Sequence, residues 1–442
     1  MQKTGSIRLR ATATRAAIAV AAIAVTTFIS FFRLPRTVLD TVWAEDGPVF
    51  LQQAMSSGGS DAIFAPYQGY LHVVPRLAAE AVVDFVPVEN FAASLAFVSC
   101  FVVALVSYLT FHCAAALTYS LWVRLAWAAI PILVSVGPYE ILGNTANLHW
   151  YLLWLVPWLL LKPAQSRPEA VILFLAAVLS GLTEVISVVF LPLVLLHLRD
   201  KAYWPARAGL LVGAGSQIYT TLLYPRVPSN GQAWDPLSVV VGWFINMAGV
   251  IFFGSSRNLG LNILNFGAGP VVLGFLPIAA ALVYLLVRGK REHRLLALFF
   301  VAASLGVWAA CLVANPRAQF DYLHLAHAQW AEFTLTRYSA VPAMFMLGLF
   351  PLLAMSIRRE SVQAPAAVLA SFTVLLAVSY FPTQVGREQG PSWNAGVAGA
   401  RAACLGARDD ETRPVQVAPN GWSVSGVAMP CSRLKGQFPP DH

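Results

Sequence analysis

Charge is scarce in this chain. Asp, Glu, Lys and Arg make up 11% of its 442 residues, whereas soluble domains carry roughly 25%. That shortage excludes an ordinary water-soluble globular protein. Cysteine is sparse too: five residues with no Cys-x-x-Cys spacing, so neither a zinc motif nor a dithiol redox motif is present. No internal repeat is visible, which weighs against transporter folds built on repeat symmetry.

What abounds is apolar. Hydrophobic residues are 58% of the chain, the mean hydropathy is +0.65, and the apolar residues come in long blocks. This is the pattern of an all-α integral membrane protein with many spans. The formal net charge of +8 does not imply a nucleic-acid partner, because Lys and Arg cluster in the short gaps between blocks, as the positive-inside rule requires.

Lys3, Arg8, Arg10 and Arg15 lead into a first span at 15–32 without a small-residue cleavage site. This reads as an uncleaved span with a cytoplasmic N-terminus. A polar stretch, 34–90, follows with Asp40, Glu45, Asp46, Asp61, Arg76, Glu80, Asp84 and Glu89. Each charge at the bilayer centre would cost roughly 2.5–3.5 kcal/mol, so this stretch is a first extracytoplasmic loop. Further spans are expected at 91–117, 119–137, 148–162, 203–224, 270–287, 295–313, 338–356 and 364–381. The block 169–198 reads as two short spans broken at Gly181, Thr183 and Glu184. Segment 238–254 is apolar but flanked by outer loops, so it is expected to be re-entrant or interfacial. The sum is about eleven spans in a membrane unit covering 1–381, with an outer tail at 382–442. Expected inner gaps hold Arg124, Lys162, Arg167, Arg199, Lys201, Arg207, Arg288, Lys290, Arg291, Arg294, Arg358 and Arg359.

Four polar clusters fall on the outer side: WAEDGP (43–48), YQGYLHVVPR (67–76), GNTANLHW (143–150) and DYLHLAHAQWAEFTLTRY (321–338). Acids and amides bind sugar hydroxyls, aromatic rings stack on pyranose faces, and arginine forks onto phosphate oxygens. In the first cluster, Pro48 favours a helix start that Asp46 or Gly47 would cap. The competing reading makes Glu45 or Asp46 a general base toward a hydroxyl. In the second, Tyr70 and His72 precede a helix from Pro75. Arg76, Glu80 and Asp84 share one face of that helix and Leu77, Ala81, Val82 and Phe85 the other, an amphipathic helix on the membrane surface. Arg76 either pairs with Glu80 or faces the site, and His72 is either a site residue or hydrogen-bonded structure.

In the third cluster, Asn147 either caps the next helix or binds hydroxyls together with His149. Glu184 is a functional candidate because it interrupts an apolar block. In the fourth, Asp321, His324, His327 and Glu332 leave a divalent cation open, against chance spacing. Arg337 and Tyr338 open a span, where they either meet a lipid phosphate or anchor the helix at the interface. Cys100, Cys113 and Cys311 read as small core residues. Cys404 and Cys431, in an outer tail, are either a disulfide or two free thiols.

Taken together, the spans, the acidic pair in the first outer loop, the re-entrant segment and the outer C-terminal piece resemble the GT-C superfamily of membrane glycosyltransferases. Glu45-Asp46 matches that class's acidic pair in place, with the order reversed. RYSAVPAMF (337–345) is similar to the Arg-Tyr opening of a late helix in bacterial members, and GPSW (390–393) with the paired cysteines looks like envelope proteins of this type. The resemblance implies a multi-pass protein of the bacterial inner membrane. Its donor would be a polyprenyl-phosphate sugar, its acceptor a cell-envelope glycan or lipid, and its transfer inverting, with a first-loop carboxylate as base. By register from Trp43 that base is Glu45; by residue type it is Asp46. Arg337, Tyr338, Arg76, His72, Tyr70, Asn147, His149 and His324 are the expected donor-binding set. The class implies no certain cofactor, and its use of a divalent cation varies. The alternatives are a transporter or flippase of a lipid-linked glycan, and a non-catalytic scaffold.

Overall fold

A computed structural model describes residues 2–226, 235–254, 256–357, 363–382, 385–419 and 426–436. Arg358 and Arg359, expected on the inner side, lie outside the described residues. The chain is 74% helical. Among the described residues five helices are long and apolar enough to cross a membrane: Val88–Ala116, Pro236–Phe253, Gly269–Arg288, Arg291–Ala314 and Arg337–Ser356. Five more apolar helices are shorter: Ala16–Phe32, Leu121–Leu133, Leu148–Leu160, Val185–Leu195 and Gln363–Val378. Large tryptophans such as Trp127, Trp154 and Trp308 fill the interior, while Leu222 (76% exposed), Leu223, Leu273 and Val283 face outward. An apolar exterior of this extent is stable only against lipid.

Close helix approach depends on small residues, the usual device where lipid removes the hydrophobic drive between helices. Helix Arg167–Gly181 packs on Trp204–Leu223, where a Cβ on Gly181 would lie 2.9 Å from the Gly213 Cα. The block 169–198 is divided as its sequence suggests. Helix Arg167–Gly181 ends, Glu184 caps the Ile186 N–H at 2.7 Å, and a tighter 3-10 helix runs Val185–Leu195. Segment 236–253 is one helix with a final π turn. Ser238 near its start donates to the Phe320 carbonyl at 3.3 Å, and the Val250 carbonyl near its end accepts from Ser135.

The first-loop helix Val73–Phe85 is turned differently from the sequence expectation. Ala78, Ala79, Val82 and Val83 are buried, Phe85 is 84% exposed and Leu77 is also exposed. Arg76 therefore points inward, where it donates to Gln53 Oε1 and, at 2.7 Å, to the Ala62 carbonyl rather than joining Glu80 in an ion pair. The reason is packing. The alanine-valine stripe fits the loop core, and Arg76 lies close enough to it to staple two short helices, Gln52–Ser56 and Gly59–Ile63.

The tail closes over this loop. It forms helix Trp393–Ala403 and an antiparallel pair of strands, β1 Thr412–Val415 and β2 Val427–Pro430, joined to the helix end by a Cys404–Cys431 disulfide. Val49, Phe50, Leu51, Val82 and Phe91 of the loop share one apolar core with Trp393, Val415, Val427 and Met429 of the tail. The Trp393 indole donates to the Val88 carbonyl at 2.7 Å, and Arg401 pairs with Glu89.

Candidate functional site

The WAEDGP stretch is held by the tail. Ala44 N–H donates to the Ala418 carbonyl at 2.6 Å and Ala418 N–H to the Val42 carbonyl at 3.0 Å. Between these bonds Ala44 adopts φ +41°, a left-handed conformation that costs a non-glycine residue roughly 1–2 kcal/mol. Behind it, Gly47 is pressed against the tail so closely that a Cβ would lie 2.7 Å from Val417 Cγ1.

The two acids part company here. Asp46 is 1% exposed, and its carboxylate accepts from Thr145 N–H at 2.8 Å, the Thr145 hydroxyl at 2.6 Å and Ala146 N–H at 2.7 Å. Burial pushes its pKa up to about 6, opposed by those three donors and by nearby Arg387. Arg387 in turn donates to the Gly143 and Leu142 carbonyls. The loop before helix Leu148–Leu160 is thus gripped by its N–H groups from one side and its carbonyls from the other. Asp46 caps this loop, across 99 residues, and not its own helix. Glu45 is half-buried and lines a cavity of about 730 Å³ that includes its open mouth. Among the described residues its carboxylate accepts no hydrogen bond.

Several expected residues meet at that cavity. Tyr70 and His72 lie ring against ring, with centroids 4.1 Å apart, on a turn closed by Tyr67 N–H to the Tyr70 carbonyl at 2.9 Å. His72 is buried, and among the described residues neither ring nitrogen has a hydrogen-bond partner of good geometry. Burial, aided by His149 and Arg76, holds its pKa well below the usual imidazole range, so the ring is neutral. His149 Nδ1 is hydrogen-bonded to Glu184 Oε2, and both residues line the cavity. Arg337 donates Nη1 to Glu140 Oε1 at 2.8 Å and its backbone N–H to Glu140 Oε2 at 2.9 Å. Tyr338 stands edge-on to Trp150 at 5.7 Å. Asn147 lines the wall, but its amide is engaged: Oδ1 accepts from the Trp150 indole at 3.1 Å and Nδ2 donates to the Glu140 carbonyl at 3.2 Å.

Two expected residues are elsewhere. Arg76 is in the loop core, as described. The His324 side chain is 73% exposed, and among the described residues Asp321, at 2.9 Å, is its one ion-pair partner; it does not line the cavity. Among the described residues no three His, Cys, Asp or Glu side chains gather as a metal site. Of the four residues expected around a cation, Asp321 and His324 are paired with each other, at 2.9 Å. Sequence reading did not single out Glu140, Arg226 or Arg387. Each sits in a gap beside a span, a position where charge is common and unremarkable.

A second cavity, about 700 Å³ with its mouth, shares the Arg337–Tyr338 wall. Trp43 and Thr336 line it, and among the described residues the Trp43 indole N–H and the Thr336 hydroxyl have no partner. The turn at Ala44 therefore sets Trp43 on one cavity and Glu45 on the other. No protein-family model, curated protein or solved structure matches this chain, and the arrangement is read from its own chemistry.

Proposed function

We propose that the chain is a GT-C-type membrane glycosyltransferase. It moves a sugar from a polyprenyl-phosphate donor to a cell-envelope glycan or lipid acceptor at the outer face of the bacterial inner membrane. The observation that carries this reading is Glu45: a carboxylate that accepts no hydrogen bond among the described residues, fixed by a strained turn, in a cavity walled by aromatic rings and arginines.

In this reaction Glu45 takes the proton of an acceptor hydroxyl. The acceptor oxygen bonds to the anomeric carbon from the face opposite the phosphate. The anomeric C–O bond to phosphate breaks, and its electron pair leaves with the polyprenyl phosphate, whose charge is met by arginine on the cavity wall. Tyr67, Tyr70 and Trp150 supply faces for the sugar ring, and neutral His72 exchanges a hydrogen bond with a sugar hydroxyl. The cavity beyond Arg337–Tyr338 suits the acceptor, since its unpartnered indole and hydroxyl would bind hydroxyl groups.

Purified protein given polyprenyl-phosphoryl hexoses and pentoses with envelope glycan acceptors is expected to form product of inverted anomeric configuration, read by NMR. No transfer with any donor, together with passage of a lipid-linked glycan across liposomes, would replace the enzyme reading with a transporter.

A further inference from the structure

We propose that Arg226, and not Arg337, is the cation that holds the donor phosphate in this cavity. The inference rests on the glycosyltransferase reading above and names the residue that recognises the anionic part of its substrate.

A count of charge on the cavity wall leads to Arg226. Arg337 is bound twice by Glu140, through its guanidinium and its backbone N–H. His149 is matched by Glu184. The Arg337 charge is answered inside the protein, and an anion would have to compete with a carboxylate for it. Arg226 is different. It donates Nη1 to the Ala314 carbonyl at 3.0 Å and Nη2 to Asn315 Oδ1 at 2.8 Å, two uncharged acceptors. Among the described residues no carboxylate pairs with it. A guanidinium has five N–H donors, so three remain, and its full charge is available to a phosphate.

Its placement is built rather than accidental. Arg226 follows the helix Trp204–Leu223, at the end that meets the 67–71 segment of the first loop. There the chain passes a turn at Gly69, φ +84°, where a Cβ would lie 3.0 Å from the Arg226 nitrogen. Thr221 Oγ1 donates to the Gly69 carbonyl at 2.8 Å and ties the same turn. Arg226 is thereby fixed by three segments: the 67–70 turn that carries Tyr67 and Tyr70, the helix 204–223, and the end of helix Arg291–Ala314. Tyr219, Leu222, Leu223 and Tyr224, just before it, are exposed and apolar, a surface along which a prenyl chain can lie while its phosphate reaches the guanidinium. Glu45 lines the same cavity without pairing to Arg226, so the acid is left for the hydroxyl and the cation for the phosphate.

The test is binding of undecaprenyl phosphate to the full-length protein in detergent micelles, measured by native mass spectrometry and by competition, with undecaprenol and inorganic phosphate alongside. Arg226→Gln is expected to weaken undecaprenyl phosphate binding roughly ten- to hundredfold, and Arg226→Lys to recover most of it. The double variant Glu140→Gln/Arg337→Gln, which removes the internal pair without stranding a charge, is expected to change it less than threefold. Undecaprenol should bind weakly and be indifferent to residue 226, and inorganic phosphate should compete only at much higher concentration. Equal binding by wild type and Arg226→Gln, a larger loss in the 140/337 double variant, or undecaprenol binding as tightly as its phosphate would overturn the inference. Sugar transfer that survives Arg226→Gln at full rate would sink it while leaving the transferase reading intact. Phosphate-lipid binding through Arg226 without any transfer would do the reverse.

Discussion

Two polar clusters look alike in the sequence and end up opposite in the molecule. WAEDGP at 43–48 and DYLHLAHAQW at 321–330 both pair acids with aromatics just beyond a span. The first is bonded to the tail through Ala44 and Ala418, buried at Asp46, and turned to one cavity at Trp43 and to another at Glu45. The second leaves His324 exposed, with Asp321 its one ion-pair partner among the described residues. The lesson is that residue type nominates a site, and the elements packed behind it decide. A carboxylate becomes a usable base when its neighbours are occupied with something else and its own backbone is held still.

The largest expected effect breaks the comparison at its centre. Glu45→Gln should lower the transfer rate by roughly 10²- to 10⁴-fold, the range for loss of a general base. Asp321→Asn and His324→Ala should stay within about twofold of wild type. Initial rates with one donor and acceptor, at matched amounts of folded protein, check both.

Next comes Asp46, whose replacement by Asn strips an ionised acceptor from three donors and should cost about 2–4 kcal/mol of stability. Its pH dependence has a definite sign. Folding raises the Asp46 pKa to about 6 from an ordinary 3.8, so the folded protein binds the proton more tightly. This contribution is greatest below pH 4 and is lost as pH rises through 4 to 6, by about 3 kcal/mol. The difference in melting temperature between wild type and Asp46→Asn, followed from pH 4 to 7, should shrink as pH rises.

A comparable effect is expected from the tail. Cys404→Ser/Cys431→Ser opens a closure of 27 residues, worth about 3 kcal/mol. It should lower transfer as well, because the tail holds the turn that presents Glu45; the Asp321 cluster has no such dependence. The smallest effect is expected from Gly47→Ala, whose methyl would meet Val417 at a cost of about 1–2 kcal/mol, read as a modest shift in melting temperature.

Much of the helical layout is legible in the sequence, because hydrocarbon demands unbroken apolar blocks and charge marks their ends. The break at Glu184 is visible for the same reason: an acid inside such a block stands out. The rotation of helix Val73–Phe85 is not legible. Arg76, Glu80 and Asp84 form a clean charged stripe, but the alanine-valine stripe beside it buries better, and the chain follows burial. Long-range pairings are the least accessible. Arg337 meets Glu140 across 197 residues and Trp43 meets Ala418 through a single bridge, and neither leaves a local pattern. The adjacent acids are the sharpest case: nothing in WAEDGP tells which carboxylate turns to Thr145 and which to the cavity.

The most direct test of the account measures Glu45→Gln and Asp46→Asn side by side, each for melting temperature and for initial transfer rate. The account predicts that the effects separate. Glu45→Gln melts like wild type and does not transfer, while Asp46→Asn melts markedly lower and retains transfer in proportion to the protein still folded. Wild-type stability with no transfer in Asp46→Asn, or undiminished transfer in Glu45→Gln, would contradict it.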